Sequence, residues 1–174
     1  ALNSESGEAL WNYDPKTGAN PHSGLYVHRG VAYWSDGKED RIFLGDQSGN
    51  LHSVNPLNGR LDPAFGKKGF VDLSIGVVGK FPKAQYGMTS PVAICGNVIV
   101  AGGRVTDSNP KGPSGDVRGL DVRTGEQRWR FHTVPRPGEV GHDTWKDNSW
   151  EDRGGTNAWS IMSVDTENKL VFLP

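Results

Sequence analysis

The stretch that most constrains this chain is Ser114 to Phe131, SGDVRGLDVRTGEQRWRF. Val117, Leu120 and Val122 supply apolar positions before Thr124-Gly125, and Trp129 and Phe131 supply them after it. Glycine takes positive φ without steric cost, so the pattern predicts two antiparallel strands around a tight turn. The stretch recurs. Ser48 to Gly59, SGNLHSVNPLNG, carries Ser, Gly, an apolar residue, Asn and the turn Gly at the same offsets. The N-terminal ALNSESGEALWNY joins the register at Leu2 and Asn3, then sets Gly7 and Trp11 where Gly125 and Trp129 stand. Turn glycines therefore fall at 7, 59 and 125, separated by 52 and 66 residues.

Two further elements repeat in phase. GVAYW from Gly30, SPVAIC from Ser90 and NAWSIMSV from Asn157 form one set. RIFLG (41–45), VIVAG (98–102) and the start of KLVFLP form the other. Each unit reads as four short strands, the last ending near a Trp. Radial repetition of four-stranded sheets predicts an all-β fold, a partial β-propeller. The alternative is a β-sandwich whose hairpins look alike by chance, and three elements recurring in one order count against it. The expected units are the end of one blade at 1–13, whole blades at 29–66 and 86–131, and the start of another at 156–174. A propeller closes to protect its strand edges. Two whole units and two halves close no ordinary ring. The expectation is a fragment of a longer chain, or a partner chain that covers the open edges.

The 24 Gly and 11 Pro among 174 residues fit short strands and many turns. No stretch sustains helical periodicity. A net charge of −1 argues against an electrostatic nucleic-acid or membrane partner. No apolar run approaches the ~20 residues of a membrane span. Cys95 has no second cysteine to pair with and sits in an apolar run, where it reads as a small buried hydrophobe.

Repeat phase also singles out polar residues. Arg29, Thr89 and Thr156 each stand at the entry to the first strand of a unit. In a propeller that strand lines the central channel, so the three would face one axial site. Arg29 reads equally as a surface residue at a strand start or as a guanidinium aimed at a carboxylate. Asp107, in RVTDSNPKGPS, is a hard-cation ligand or, on spacing alone and preferably, the cap of a turn before Pro110. His22 and His28 lie six apart in a loop without metal spacing, and His132, His142, Asp143 and Asp147 match no metal motif. The connection 62–88 is long and Gly- and Lys-rich, a rim loop or a solvated face.

LDVRTGEQRW and ALNSESGEALW resemble the tryptophan-docking motif of pyrroloquinoline-quinone (PQQ)-dependent dehydrogenases. HRGVAYW, QSGNLHSVNPLNGRL, TSPVAICGNVIVAGG and GGTNAWSIMSVD resemble segments of the same family, in its order and over nearly the whole chain. The resemblance implies an eight-bladed propeller with the quinone in the axial channel beside a divalent cation, usually Ca²⁺. It implies that Arg29 contacts the quinone, that Thr89 and Thr156 are hydroxyl contacts to its polar edge, and that Asp107 is a metal ligand. Trp34 stands where glucose-oxidising relatives carry a pocket-shaping His, which implies that it helps close the site over the quinone. Ser23-Gly24 replace the vicinal cysteines of the alcohol-oxidising branch. Ala158 stands where methanol dehydrogenases carry the Trp under the quinone, and Trp159, one residue later, points to the other face if the segment is a strand. These departures favour a sugar or polyol over methanol.

The family's catalytic Asp and a metal-binding Asn lie beyond this stretch, so residues 1–174 alone are expected to be inactive. The resemblance also implies a periplasmic setting, an alcohol or sugar substrate, and a quinone or cytochrome electron acceptor. A non-catalytic propeller that binds a protein or carbohydrate through its rim is the other reading, and it has no need of the axial set Arg29, Thr89, Thr156 and Asp107. A propeller of the outer-membrane assembly type would explain neither HRGVAYW nor GGTN.

Overall fold

A computed structural model describes residues 1–16, 28–81 and 84–174. His22 and Ser23-Gly24 lie outside the described residues. The three repeated turns share one geometry. Gly7, Gly59 and Gly125 have φ of 73°, 70° and 74°. Their amides donate to the carbonyls of Asn3, Asn55 and Asp121, each at 2.9 Å. The side-chain Oδ1 of each of those three residues accepts backbone N–H groups from inside its own turn. A short Asx side chain bonds its own backbone two residues on, which makes such turns local and repeatable.

The first sheet is antiparallel, in the order β1 (Ala32–Ser35), β2 (Asp40–Gly45), β3 (Asn50–Val54), β4 (Phe70–Asp72). Its outer strand lies at 70–72, beyond residue 66. After the Gly59 turn the chain bridges Val54 at Leu61 and makes a local turn in which Gly66 and Lys67 bridge Phe70, and then pairs with β3. A two-stranded pair follows, β5 (Tyr86–Gly87) with β8 (Arg104–Val105). The second four-stranded sheet holds β6 (Ala93–Cys95), β7 (Val98–Ala101), β9 (Val117–Asp121) and β10 (Gln127–Phe131), ordered β10-β9-β7-β6. Two 3₁₀ turns, His142–Thr144 and Lys146–Glu151, interrupt the next loop. The hairpin β11 (Ser163–Asp165) and β12 (Leu170–Phe172) comes last. The long Asn157 run therefore becomes a strand only from Ser163.

Period-two alternation stacks these sheets. On β7, Ile99 and Ala101 face the first sheet, whereas Val100 faces Ala158 and Met162 of the last unit. On β9, Leu120 and Val117 divide in the same way. Ile99, Leu51 and Val117 are fully buried. The second sheet is thus covered on both faces, as a blade between two neighbours must be. On the first sheet, Leu51 faces the second sheet and His52 the N-terminal segment.

Aromatic residues seat each unit on the next. Trp11 donates its indole N–H to the Pro56 carbonyl at 2.9 Å, and a Cβ on Gly59 would lie 2.5 Å from Trp11 Cε3. Phe65 stands in the same relation to the Gly125 turn, where an added Cβ would meet its ring at 3.2 Å. Trp129 occupies the equivalent place in the second sheet and is 40% exposed. A side chain at these glycines would push the aromatic ring out, so the turn glycines serve both φ and close approach.

The N-terminal segment is also tied by a buried polar chain. Tyr13 Oη lies 2.9 Å from His52 Nδ1, and His52 Nε2 lies 2.8 Å from Asp46 Oδ2. Asp46 further accepts from the backbone amides of Ser48 and Asn50 and from the Asn50 side chain. Burial pushes the Asp46 carboxyl up, but these bonds from His52 and Asn50 outweigh it and hold it below the ordinary value of 3.8. The folded state binds this proton more weakly than the unfolded chain. Its stabilisation is present above that ordinary value and is lost as pH falls through the depressed folded one. In Asp46→Asn, the drop in urea midpoint between pH 5 and strongly acidic pH is expected to shrink; an unchanged acid profile would contradict this role.

Candidate functional site

Antiparallel connectivity gathers particular strand ends. The starts of β1, β6 and β9 and the ends of β2, β7, β10 and β12 lie together at one end of the stacked sheets. Arg29, Thr89, Thr133 and Thr156 are at this end. Ser35, the Gly96 turn and the Thr124-Gly125 turn are at the other.

Arg29 and Thr89 meet. Arg29 Nη1 donates to the Thr89 carbonyl at 2.9 Å and lies 3.5 Å from Ser90 Oγ. The guanidinium stands over the Trp159 ring, 5.1 Å from its centroid. The Ser90 hydroxyl donates to the Trp159 carbonyl. Residues 154–162 are irregular rather than a strand, so the alternation that would have turned Trp159 away does not apply. Its ring lies under Arg29 and remains about half exposed. The Thr89 side-chain oxygen is buried and has no hydrogen-bond partner among the described residues. An unpaired buried hydroxyl costs about 1–3 kcal/mol, so this one is an incomplete contact.

Thr156 joins the same end through its own segment, three residues before Trp159, and its hydroxyl is 2.7 Å from Thr133 Oγ1. Asn157 clamps that segment to β8. Its Oδ1 accepts from the Val105 amide at 2.8 Å, and its Nδ2 donates to the Val105 carbonyl at 2.9 Å. The clamp brings the Thr106-Asp107 loop beside Gly155, where an added Cβ would lie 3.2 Å from Asp107 Cα. Asp107 is exposed and makes no hydrogen bond among the described residues, so it caps no turn.

Trp34 is not brought to this cluster. It is 4% exposed at the far end of β1, donates its indole N–H to the Gly96 carbonyl at 3.1 Å, and lies beneath the Arg123 guanidinium at 4.7 Å. It lies five residues after Arg29, near the end of β1, whose start is on the Arg29 side. Its surroundings make it a packing residue between sheets, and the expectation that it helps close the site over a ligand does not match this position.

Among the described residues no group of three or more His, Cys, Asp or Glu gathers around a metal position. His132 pairs with Glu139 at 2.8 Å, and His142 lies against Trp150. Asp107 is at most one donor of a shared set. Sequence reasoning missed Ser90, the orientation of Trp159, and the hydroxyls of Ser114 and Thr133. The first two depend on an irregular backbone, and the last two on which strand ends meet. Among the described residues no helix is long and apolar enough to cross a membrane.

Comparison with known proteins agrees with this architecture. The family described as "PQQ: Glucose/ethanol/alcohol dehydrogenase, beta-propeller domain" matches residues 1–174. Quinoprotein glucose dehydrogenase of Escherichia coli (strain K12) is 33% identical over 189 residues, covering 100% of this chain and 23% of that protein. Quinohemoprotein alcohol dehydrogenase ADH IIB of Pseudomonas putida is 29% identical over 187 residues, covering 99% of this chain and 24% of its own. The solved structure of quinohemoprotein alcohol dehydrogenase ADHIIG from Pseudomonas putida HK5 superposes with a TM-score of 0.74 at 24% identity, over 98% of this chain and 24% of that one. This last likeness bears on the fold. The chain spans about a quarter of the length of the curated relatives it matches. Its blades stack as propeller blades do and the family match runs its whole length, so the chain belongs to the PQQ glucose/ethanol/alcohol dehydrogenase β-propeller family.

Proposed function

We propose that this chain contributes part of the cofactor cradle of a PQQ-dependent dehydrogenase that oxidises an alcohol or sugar hydroxyl. The observation that carries the reading is Arg29 held on the Thr89 carbonyl over the Trp159 ring, with the Thr89 hydroxyl buried beside it and without a partner among the described residues. A flat polycarboxylated quinone suits those groups. A guanidinium pairs bidentately with a carboxylate, and the orphan hydroxyl finds its missing partner on a polar ring edge.

In this reading Arg29 binds and neutralises a carboxylate of the quinone, and Trp159 holds the guanidinium in place. Thr89 and Thr156 orient the polar edge. Asp107, steadied by the Asn157 clamp, offers one oxygen to a divalent cation, for which Ca²⁺ is the expected choice. When bound, PQQ would supply hydride-accepting chemistry and the cation Lewis acidity. The base that takes the substrate's hydroxyl proton is expected outside residues 1–174. A sugar or polyol is the favoured substrate class, with a quinone or cytochrome as electron acceptor and a periplasmic location.

The test is a dye-linked oxidation assay on the intact protein loaded with PQQ and Ca²⁺, across aldoses, polyols and primary alcohols. Turnover that depends on PQQ is expected. Absence of PQQ binding would overturn the reading, and PQQ binding without turnover of any alcohol would favour a non-catalytic module. Residues 1–174 expressed alone are expected to reduce no dye; turnover by them would place the base within this stretch.

A further inference from the structure

A chain of hydroxyls ends at Thr156, and its far end is a buried carboxylate. Asp116 is 3% exposed. Its Oδ1 accepts from the Ser114 hydroxyl and, at 3.3 Å, from the Thr133 backbone amide. Arg130 Nη1 stands 3.8 Å and His132 Nε2 3.9 Å from its Oδ2. Ser114 Oγ is 3.0 Å from Thr133 Oγ1, which is 2.7 Å from Thr156 Oγ1. Thr156 and Thr133 both line a cleft with Phe131, Gly155, Asn157 and Ala158.

Proton counting gives this chain a direction. An ionised carboxylate only accepts, and each hydroxyl has one proton to donate. Ser114 spends its proton on Asp116. Thr133 must then donate to Ser114, and Thr156 must donate to Thr133. The Thr156 hydroxyl is left with lone pairs alone for anything in the cleft.

We propose that Asp116, acting through Ser114 and Thr133, fixes the Thr156 hydroxyl as a hydrogen-bond acceptor toward the cleft, so that this position selects a ligand N–H or O–H over a carboxylate. Asp116, Ser114 and Thr133 are positioning residues. The polarity follows from the geometry once Asp116 acts only as an acceptor, whereas its consequence for PQQ, whose pyrrole ring carries one N–H donor, rests on the reading above.

Two measurements test it. Neutron diffraction from crystals of the intact, deuterated protein at neutral pH is expected to show the deuteron between Thr156 and Thr133 bonded to Thr156 Oγ1. A deuteron on Thr133 pointing at Thr156 overturns the proposal. The second is a double-mutant cycle on PQQ affinity, read by fluorescence titration of the intact protein. Thr133→Val frees the Thr156 hydroxyl from its fixed direction and is expected to weaken PQQ binding about three- to tenfold. Combined with Thr156→Val, it is expected to add nothing. Equal effects in both backgrounds would make Thr133 merely structural and overturn the claim for PQQ. If the wild-type protein binds no PQQ, the functional reading fails, and the deuteron position still decides the polarity.

Discussion

Arg29→Ala in the intact protein is expected to weaken PQQ binding about tenfold to a hundredfold, the range for losing a charge-assisted hydrogen bond to an anion. The magnitude follows from where the guanidinium sits. One nitrogen is anchored on the Thr89 carbonyl at 2.9 Å and the plane rests on Trp159, so little side-chain freedom remains to be lost on binding. Arg29→Lys keeps the charge but loses the planar fork and the stack, and is expected to fall between wild type and alanine. The check is a PQQ titration with the urea midpoint measured alongside. Arg29 is exposed, so the midpoint should scarcely move. Unchanged affinity in Arg29→Ala would remove the residue from the cradle.

Ile99→Ala is the substitution expected to cost the most stability, about 2–5 kcal/mol. Ile99 is fully buried on the β7 face that meets the first sheet, in one cluster with Leu120, Leu51 and Phe43. Both sheets are held by that seam, so neither can collapse freely into the cavity. A fall in the urea midpoint without loss of secondary structure is expected. Tyr33→Ala is the comparison. Tyr33 projects from the opposite face of β1, 58% exposed and bonded to Asp40 at 2.5 Å, so a small effect is expected. Equal losses at the two positions would mean that the seam is not where the stability resides.

Much of the blade architecture was legible because its signals are local. The recurrence of Gly7, Gly59 and Gly125 corresponds to three turns with φ within a few degrees and the same hydrogen bonds. Each such turn is made by its own Asx side chain and its own glycine, and it needs no distant partner. The strands beside it follow from β-branched and aromatic runs. The last strand of the first sheet was less legible. FVD at 70–72 carries little pattern of its own, and it is a strand because β3 offers an edge to pair with.

The site divides in the same way. Its end of the sheets was legible from the phase of the repeats for Arg29 and Thr89, which shortly precede β1 and β6, whereas Thr156 lies seven residues before β11 and reaches that end through an irregular segment. The contacts of the site were not legible. Alternation would turn Trp159 away only in a regular strand, and residues 154–162 are irregular, so its place beneath Arg29 could not be read from spacing. Trp34 looked like a pocket residue by position in its motif, yet the turn ends of the neighbouring strands enclose it, with Gly96 and Arg123 as partners.

Sequence alone determined the parts of the unit, its turns and its alternating strand faces, because each is set by residues close to it in the chain. Tertiary structure alone decided which distant residues touch. The Arg29–Trp159 stack, the Asn157 clamp on Val105 and the Asp116–Ser114–Thr133–Thr156 chain each join segments brought together by the stacking of whole sheets. The physical reason is range. A turn or a strand face is decided by neighbours in the chain, whereas a hydrogen bond across blades exists only once apolar burial has set the distance between them.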